Sequence, residues 1–447
     1  MMSVTRCLLL VTTLACATSA AAQDRCGLLP GDHQRVRELA QALVARGHAP
    51  GVVVDVRCQG KPWLIAAYGQ ADIARATPMR SDHLFRIYSM SKPVTSLLVL
   101  MLAEEGKLSI DDPVARHLPE FANTAVHNGS AAFPPETVPA QRALTVRDLL
   151  RHTAGIPYMS ALQDPVSRLY VQRGIDHGGG NKIVPADGSA PVASLADLSQ
   201  RIGSLPMVTQ PGSRFTYGNA TDVLGRLVDA VAGQPLREVV AQRLLVPLGM
   251  HDTSFQVAPE QLGRLTAAYS AAPQAGGGAG ILRGAHMQAV AASKFTLADD
   301  APTSVFATRR AVDFGGAGLV STAADYQRFM QLMLRLGRTD KQPGDQPLVR
   351  RDTVQAMTIN QIDAAALRGS GLEKNGLGFG LGVATFLVPA SAPAAVPQDG
   401  YFWGGAASTY FWVDPGRGIT GVLMTQVFGG DVGPYFVHLL DTLYRPR

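Results

Sequence analysis

Apolar positions along the chain change period twice. Near the start, Val36, Leu39 and Leu43 follow Asp32 at helical spacing, and Gly47 stands where a C-terminal cap would sit. Two strand-like runs come next, residues 51–56 and 63–68. The turn residues Gln59-Gly60-Lys61-Pro62 separate them, so a hairpin is predicted. From about residue 89 to 338 helical spacing dominates, broken by long loops at 177–194 and 271–280 that hold the glycine triplets 178–180 and 276–278. Strand patterns return at 378–386, 409–413 and 418–424, with a proline-rich loop at 388–397 between the first two. Phe436, Leu439, Leu440 and Leu443 then form one helical stripe behind Pro434. No internal repeat is visible.

Strands and a helix at each end, with helices between, predict an α/β protein of the α+β type. Residues 23–88 and 339–447 would build one sheet with helices on it, and residues 89–338 would form a mainly helical domain inserted into that unit. A catalytic cleft is expected between the two regions.

The 447 residues are 46% hydrophobic and 17% charged, which excludes a mainly disordered chain. The net charge of +5 is spread without a basic run, so nothing in it marks a nucleic-acid partner. The first residues read as a secretory leader: Arg6, a short apolar run over 7–15, and Ala20-Ala21-Ala22, with cleavage expected after Ala22. Leu14-Ala15-Cys16 faintly resembles a lipid-attachment box, but Thr13 is a poor first residue for one, and simple cleavage to a periplasmic or secreted protein is preferred. No later run is long enough for a transmembrane segment. Removal of the leader leaves Cys26 and Cys58, and an oxidising compartment favours a disulfide between them over two separate thiols.

Three segments carry candidate chemistry. In Arg86-Ile87-Tyr88-Ser89-Met90-Ser91-Lys92-Pro93-Val94, Pro93 fits only the first turn of a helix, whose buried face is Val94, Leu97, Leu98 and Met101. Ser89 then lies at the helix N-terminus, where free N–H groups favour an oxyanion, and Lys92 projects from the same side one turn on. A neutral lysine there can deprotonate the hydroxyl. Serine three residues before lysine is a common pairing, however, and a helix cap beside a solvated lysine would look the same. In Tyr217-Gly218-Asn219 the phenol can shuttle a proton, and Asn219 can donate to a substrate or hold Lys92. The bland alternative is a turn tyrosine before the Val223, Leu227, Val231 helix. In Trp403-Gly404-Gly405-Ala406, read as opening a strand, the glycines let a substrate approach and a backbone N–H can serve the oxyanion. A core tryptophan beside a glycine bulge is the competing reading.

In this order the three segments resemble the serine β-lactamase and penicillin-binding-protein superfamily, in its class C β-lactamase-like branch, and most of all family VIII carboxylesterases. The resemblance runs from about residue 32 to 445. It includes Leu84-Phe85-Arg86-Ile87, Glu104-Glu105-Gly106-Lys107-Leu108, Asp111-Asp112-Pro113, the run from Val146 through His152 to Gly155, and Pro247-Leu248-Gly249-Met250. It implies a β-lactamase-like fold with a central antiparallel sheet, Ser89 as the acylated nucleophile, Lys92 and Tyr217 as the base and acid pair, and an oxyanion hole from the N–H groups of Ser89 and Ala406. It makes His152 structural. One departure matters: relatives acting on β-lactams or peptides have Lys or His where Trp403 stands, and loss of that cation points to neutral esters.

The expected function is therefore a secreted serine hydrolase of small ester or amide substrates, with no cofactor and no metal. The alternatives are a β-lactamase, a D-amino-acid peptidase or acyltransferase, and a non-catalytic penicillin-sensor or binding module. The ten histidines show no H-x-H or H-E-x-x-H pairing, which argues against a metal hydrolase, and no serine sits in G-x-S-x-G. The sequence is silent on the physiological substrate and on oligomeric state.

Overall fold

Alternating and continuous apolar runs at the two chain ends fold onto one another. The computed structural model describes residues 26–158, 164–175, 185, 187–188, 190–271, 295–308, 310–339, 346–387 and 396–445. The leader reading and most of the two glycine-rich loops lie outside these residues. Helix α1 is Pro30–Ala45, followed by strands β1 (Gly51–Cys58), β2 (Lys61–Asp72) and β3 (Thr77–Pro78). Helix α2 is Ser91–Glu104, α3 is Ala220–Ala232 and α4 is Ala323–Leu334. The C-terminal part adds β4 (Leu377–Phe379), β5 (Ala384–Phe386), β6 (Tyr401–Gly405), β7 (Thr409–Asp414), β8 (Ile419–Met424) and α5 (Gly433–Tyr444).

The strands form one eight-stranded sheet in the order β4-β5-β6-β7-β8-β1-β2-β3, antiparallel at every junction. The first strand of the chain thus sits beside the last long one, Val53 opposite Met424 and Cys58 opposite Ile419. Every residue of β7 and β8 is buried, which requires cover on both faces and explains why these runs read as continuous rather than alternating. The terminal helices α1 and α5 pack together, α1 also lies on β1 and β2, and α4 lies on β8 and β1. Gln327 docks α4 on the sheet: its amide donates to the Asp55 carbonyl at 2.9 Å and its oxygen accepts from Thr420 Oγ1 at 2.7 Å. Cys26 and Cys58 form a disulfide with a Cα separation of 6.0 Å, tying the N-terminal segment to the end of β1.

Three local expectations are corrected. The run 378–386 is two short strands, because Gly382 takes a φ of +107° and folds the chain back on itself. Trp403-Gly404-Gly405 closes β6 rather than opening a strand, and a turn in which the Ser408 N–H donates to the Gly405 carbonyl at 3.0 Å leads into β7. The middle of the chain is not only helix and loop. Ala268–Ala271 pairs in parallel with Val427–Phe428 and antiparallel with Phe295–Asp299, and Phe85–Arg86 pairs with Val320–Ser321. No helix among the described residues is long and apolar enough to cross a membrane.

Candidate functional site

The serine turn is built from its flanks inward. Arg86, fully buried, contacts Asp299 at 2.6 Å and donates to the Thr266 carbonyl at 2.6 Å, while Gln426 bonds its backbone on both sides. With a fully buried guanidinium against a half-buried carboxylate, this pair is better read as fixing geometry than as adding stability. The Ile87 N–H donates to the Leu319 carbonyl at 3.1 Å, and the Tyr326 hydroxyl of α4 donates to the Met90 carbonyl at 2.9 Å. Between these anchors Tyr88, Ser89 and Met90 make one 3-10 turn, and α2 starts only at Ser91. Ser89 therefore precedes the α-helix instead of lying inside its first turn. Tyr88 holds a left-handed φ of +41°, an uncommon state for a bulky residue that its packing against Phe306 and Phe428 maintains.

Lys92, with none of its surface exposed, reaches back along the same face. Its Nζ is 3.1 Å from Ser89 Oγ, 2.9 Å from the Tyr158 hydroxyl and 2.8 Å from the Gly316 carbonyl. A carbonyl only accepts, so one N–H of the amine is committed to Gly316. A neutral amine then has one N–H left for Tyr158 and a lone pair for the Ser89 proton. The rings of Tyr217 and Tyr158 cover the amine, 4.8 and 5.4 Å from their centroids.

Tyr217 thus arrives beside Lys92, but its hydroxyl has no protein hydrogen-bond partner among the described residues, whereas that of Tyr158 does. Tyr158 was missed in the sequence. The available signal was its place just after the His152-Thr153-Ala154-Gly155 landmark. What brings it in is Gly218: a Cβ there would stand 2.1 Å from the Ile156 carbonyl oxygen, so only glycine lets residues 156–158 lie across the Tyr217 turn.

Asn219 and Trp403 are both buried. The Asn219 amide donates to Asp222 at 2.9 Å. Trp403 is 2% exposed and packs edge-on to Tyr217 at 5.4 Å and Phe379 at 5.2 Å, backing the Tyr217 ring. Gly404 is buried, Gly405 half-buried and Ala406 exposed, so the end of β6 emerges from the core at Ala406. A Cβ on Gly405 would lie 2.3 Å from the Ile87 carbonyl oxygen, which shows how closely this strand end approaches the serine turn.

His152, at a φ of +57°, packs its ring on Tyr217 at 4.8 Å and on Phe215 and Phe379. Burial, with a smaller contribution from Lys92, holds its imidazole well below the ordinary range, so the ring stays neutral. Behind it, Asp148 caps its own helix by bonding Thr145 and also receives Arg142, Arg151 and Thr153. Burial alone would raise the Asp148 carboxyl, but the Arg142 and Thr145 hydrogen bonds outweigh it and hold the group at about 2.

A half-buried serine against a fully buried lysine, with a tyrosine at each side of the amine, can form and hydrolyse an acyl-serine. Residues 36–439 match the family profile described as Beta-lactamase. The chain belongs to the β-lactamase family. Within this family of serine hydrolases it is 32% identical to Protein Rv1367c of Mycobacterium tuberculosis over 393 residues, 87% of each chain. It is 31% identical to Esterase EstB of Burkholderia gladioli over 405 residues, 88% of this chain and 90% of that one. Among solved β-lactamase-fold structures, EstCE1, described as a hydrolase with promiscuous acyltransferase activity, superposes with a TM-score of 0.72 at 26% identity, covering 92% of this chain and 98% of that one. Simvastatin synthase LovD of Aspergillus terreus, at 19% identity and a TM-score of 0.70 over 92% of this chain and 97% of that one, shares the fold.

Proposed function

We propose that the protein cleaves neutral carboxylic esters through an acyl-enzyme on Ser89. The observation that carries this reading is the wholly buried Lys92 amine 3.1 Å from Ser89 Oγ. The Ser89 hydroxyl gives its proton to Lys92 as its oxygen bonds to the ester carbonyl carbon. The N–H groups of Ser89 and Ala406 hold the resulting oxyanion. Collapse breaks the bond to the alcohol oxygen, which leaves with the proton from Lys92; Tyr158 and Tyr217 are the hydroxyls beside that amine to relay it. Water then attacks the acyl-serine, its proton passing to Lys92, and Ser89 recovers its hydrogen as the carboxylic acid departs.

The esterase relative supports ester cleavage. Position 403 supports neutral substrates, since a tryptophan packed behind Tyr217 supplies no cation for a substrate carboxylate. The leader-like first residues together with the Cys26–Cys58 bridge support export to the periplasm or beyond. The test is a hydrolysis panel of neutral esters, a chromogenic cephalosporin and D-alanyl peptides, with Ser89→Ala as control and mass spectrometry after a fluorophosphonate. Ser89→Ala should lose roughly 10³- to 10⁶-fold in kcat while staying folded. Labelling on another serine would refute the assignment, and labelling without turnover of any substrate would favour a binding module.

A further inference from the structure

We propose that Asp222 is a positioning residue for the Lys92 base, acting through the Gly315-Gly316 backbone; this rests on the reading of Ser89 and Lys92 above. Asp222 lies in the first turn of α3 and is 1% exposed. Its Oδ1 accepts the Gly316 N–H at 2.8 Å and its Oδ2 accepts the Asn219 amide at 2.9 Å. The peptide unit bearing that N–H is pinned at its other end as well, because the Gly315 carbonyl accepts from Thr95 Oγ1 of α2 at 2.8 Å. The next carbonyl in the chain, that of Gly316, is the one that accepts from Lys92. A single peptide is thus clamped between the helix that carries Lys92 and the helix that follows Tyr217.

Two successive glycines have no side chain to hold them and the widest backbone freedom of any residue pair. Their neighbours exclude anything larger at 315, where a Cβ would stand 2.7 Å from the Thr221 carbonyl oxygen. At 316 a Cβ would be 3.2 Å from Asp222 Oδ1 and 3.3 Å from Lys92 Nζ, so the carboxylate and the amine flank one small residue. Without an acceptor at 222 the peptide bearing the Gly316 carbonyl is still held on its far side by the 3.3 Å bond from the Ala317 N–H to the Phe314 carbonyl. Its near side is released, however, and a turn of the carbonyl weakens the contact that directs the amine lone pair toward Ser89. The base is then held by a third group, as nucleophilic triads require. Here that group acts through the backbone.

The test compares Asp222→Ala, Asp222→Asn and Thr95→Val in the full mature protein. The readouts are the rate of Ser89 modification by a fluorophosphonate and kcat and KM on a neutral ester. Asp222→Ala should slow both modification and kcat by about 10²-fold, the usual cost of a misplacement near 1 Å, with KM within threefold. Asp222→Asn keeps an acceptor oxygen for Gly316 N–H, and a flipped Asn219 amide satisfies its NH₂, so it should recover to within about tenfold of wild type. Thr95→Val removes the clamp at the Gly315 end without changing side-chain shape and should fall between, with an unchanged melting temperature. If Asp222→Ala fails to fold, the other two variants decide. Modification rates within threefold of wild type in Asp222→Ala and Thr95→Val, or in Thr95→Val where Asp222→Ala does not fold, would overturn the positioning role alone. A wild-type protein that does not label at Ser89 would overturn the nucleophile reading, and this inference with it.

Discussion

A methyl group at position 405 would stand 2.3 Å from the carbonyl oxygen of Ile87 and 2.4 Å from Thr409 Oγ1. Non-bonded carbon and oxygen settle at about 3.3 Å or more, so Gly405→Ala must part the end of β6 from the serine turn by about 1 Å. The two backbone N–H groups proposed for the oxyanion lie on either side of that seam, Ala406 on the strand and Ser89 on the turn. Moving one relative to the other by this distance should cost roughly what loss of one oxyanion donor costs, about 10²–10³-fold in kcat, or about 3–4 kcal/mol of transition-state stabilisation. The overpacking itself should cost about 1–3 kcal/mol of stability. The assay is kcat and KM on a neutral ester, read well below the melting temperature of the variant. Gly371→Ala serves as control, because a Cβ there meets nothing within 4 Å. A Gly405→Ala enzyme with kcat within threefold of wild type would refute the claim that this seam builds the oxyanion hole.

Lys92→Arg should be nearly inactive, since a guanidinium stays protonated and cannot accept the Ser89 hydrogen; retention of most of kcat would transfer the base role to a tyrosine. The Cys26–Cys58 bridge closes a sequence separation of 32 and should contribute about 3–4 kcal/mol in the chain-entropy account, so Cys26→Ser/Cys58→Ser should lower the melting temperature, and an unchanged value would contradict it. The Asp148 carboxyl, held at about 2 against an ordinary 3.8, contributes about 2 kcal/mol above pH 4 that is lost as pH falls toward 2; Asp148→Asn should remove that part of the acid unfolding curve, measured by circular dichroism. Of two esters differing only in a carboxylate beside the scissile bond, the neutral one should have the higher kcat/KM, because a carboxylate desolvated without a cation is costly; preference for the charged ester, or efficient cephalosporin turnover, would reverse the substrate assignment.

Ser89 and Lys92 were legible in the chain because residues three apart across a helix start leave from one side, whether the turn between them is α or 3-10. The order of strands and helices, and the pairing of the two chain ends into one sheet, were legible for a similar reason: burial leaves a period in the sequence. The bend at Gly382 was not, since a positive φ leaves no apolar pattern, and the run 378–386 read as one strand. Nor could periodicity give depth. Trp403 satisfies an alternating strand equally well as a cleft wall or as a core residue, and only its contacts with Tyr217 and Phe379 place it in the core. The partners that complete the lysine site lie farthest from sequence reasoning. Tyr158 is 66 residues from Lys92, Gly316 is 224 residues away, and Asp222 is 94 residues from Gly316. Local spacing sets which way a side chain leaves its own element, while the atoms it meets there are chosen by the packing of helices and loops that the chain brings together only on folding.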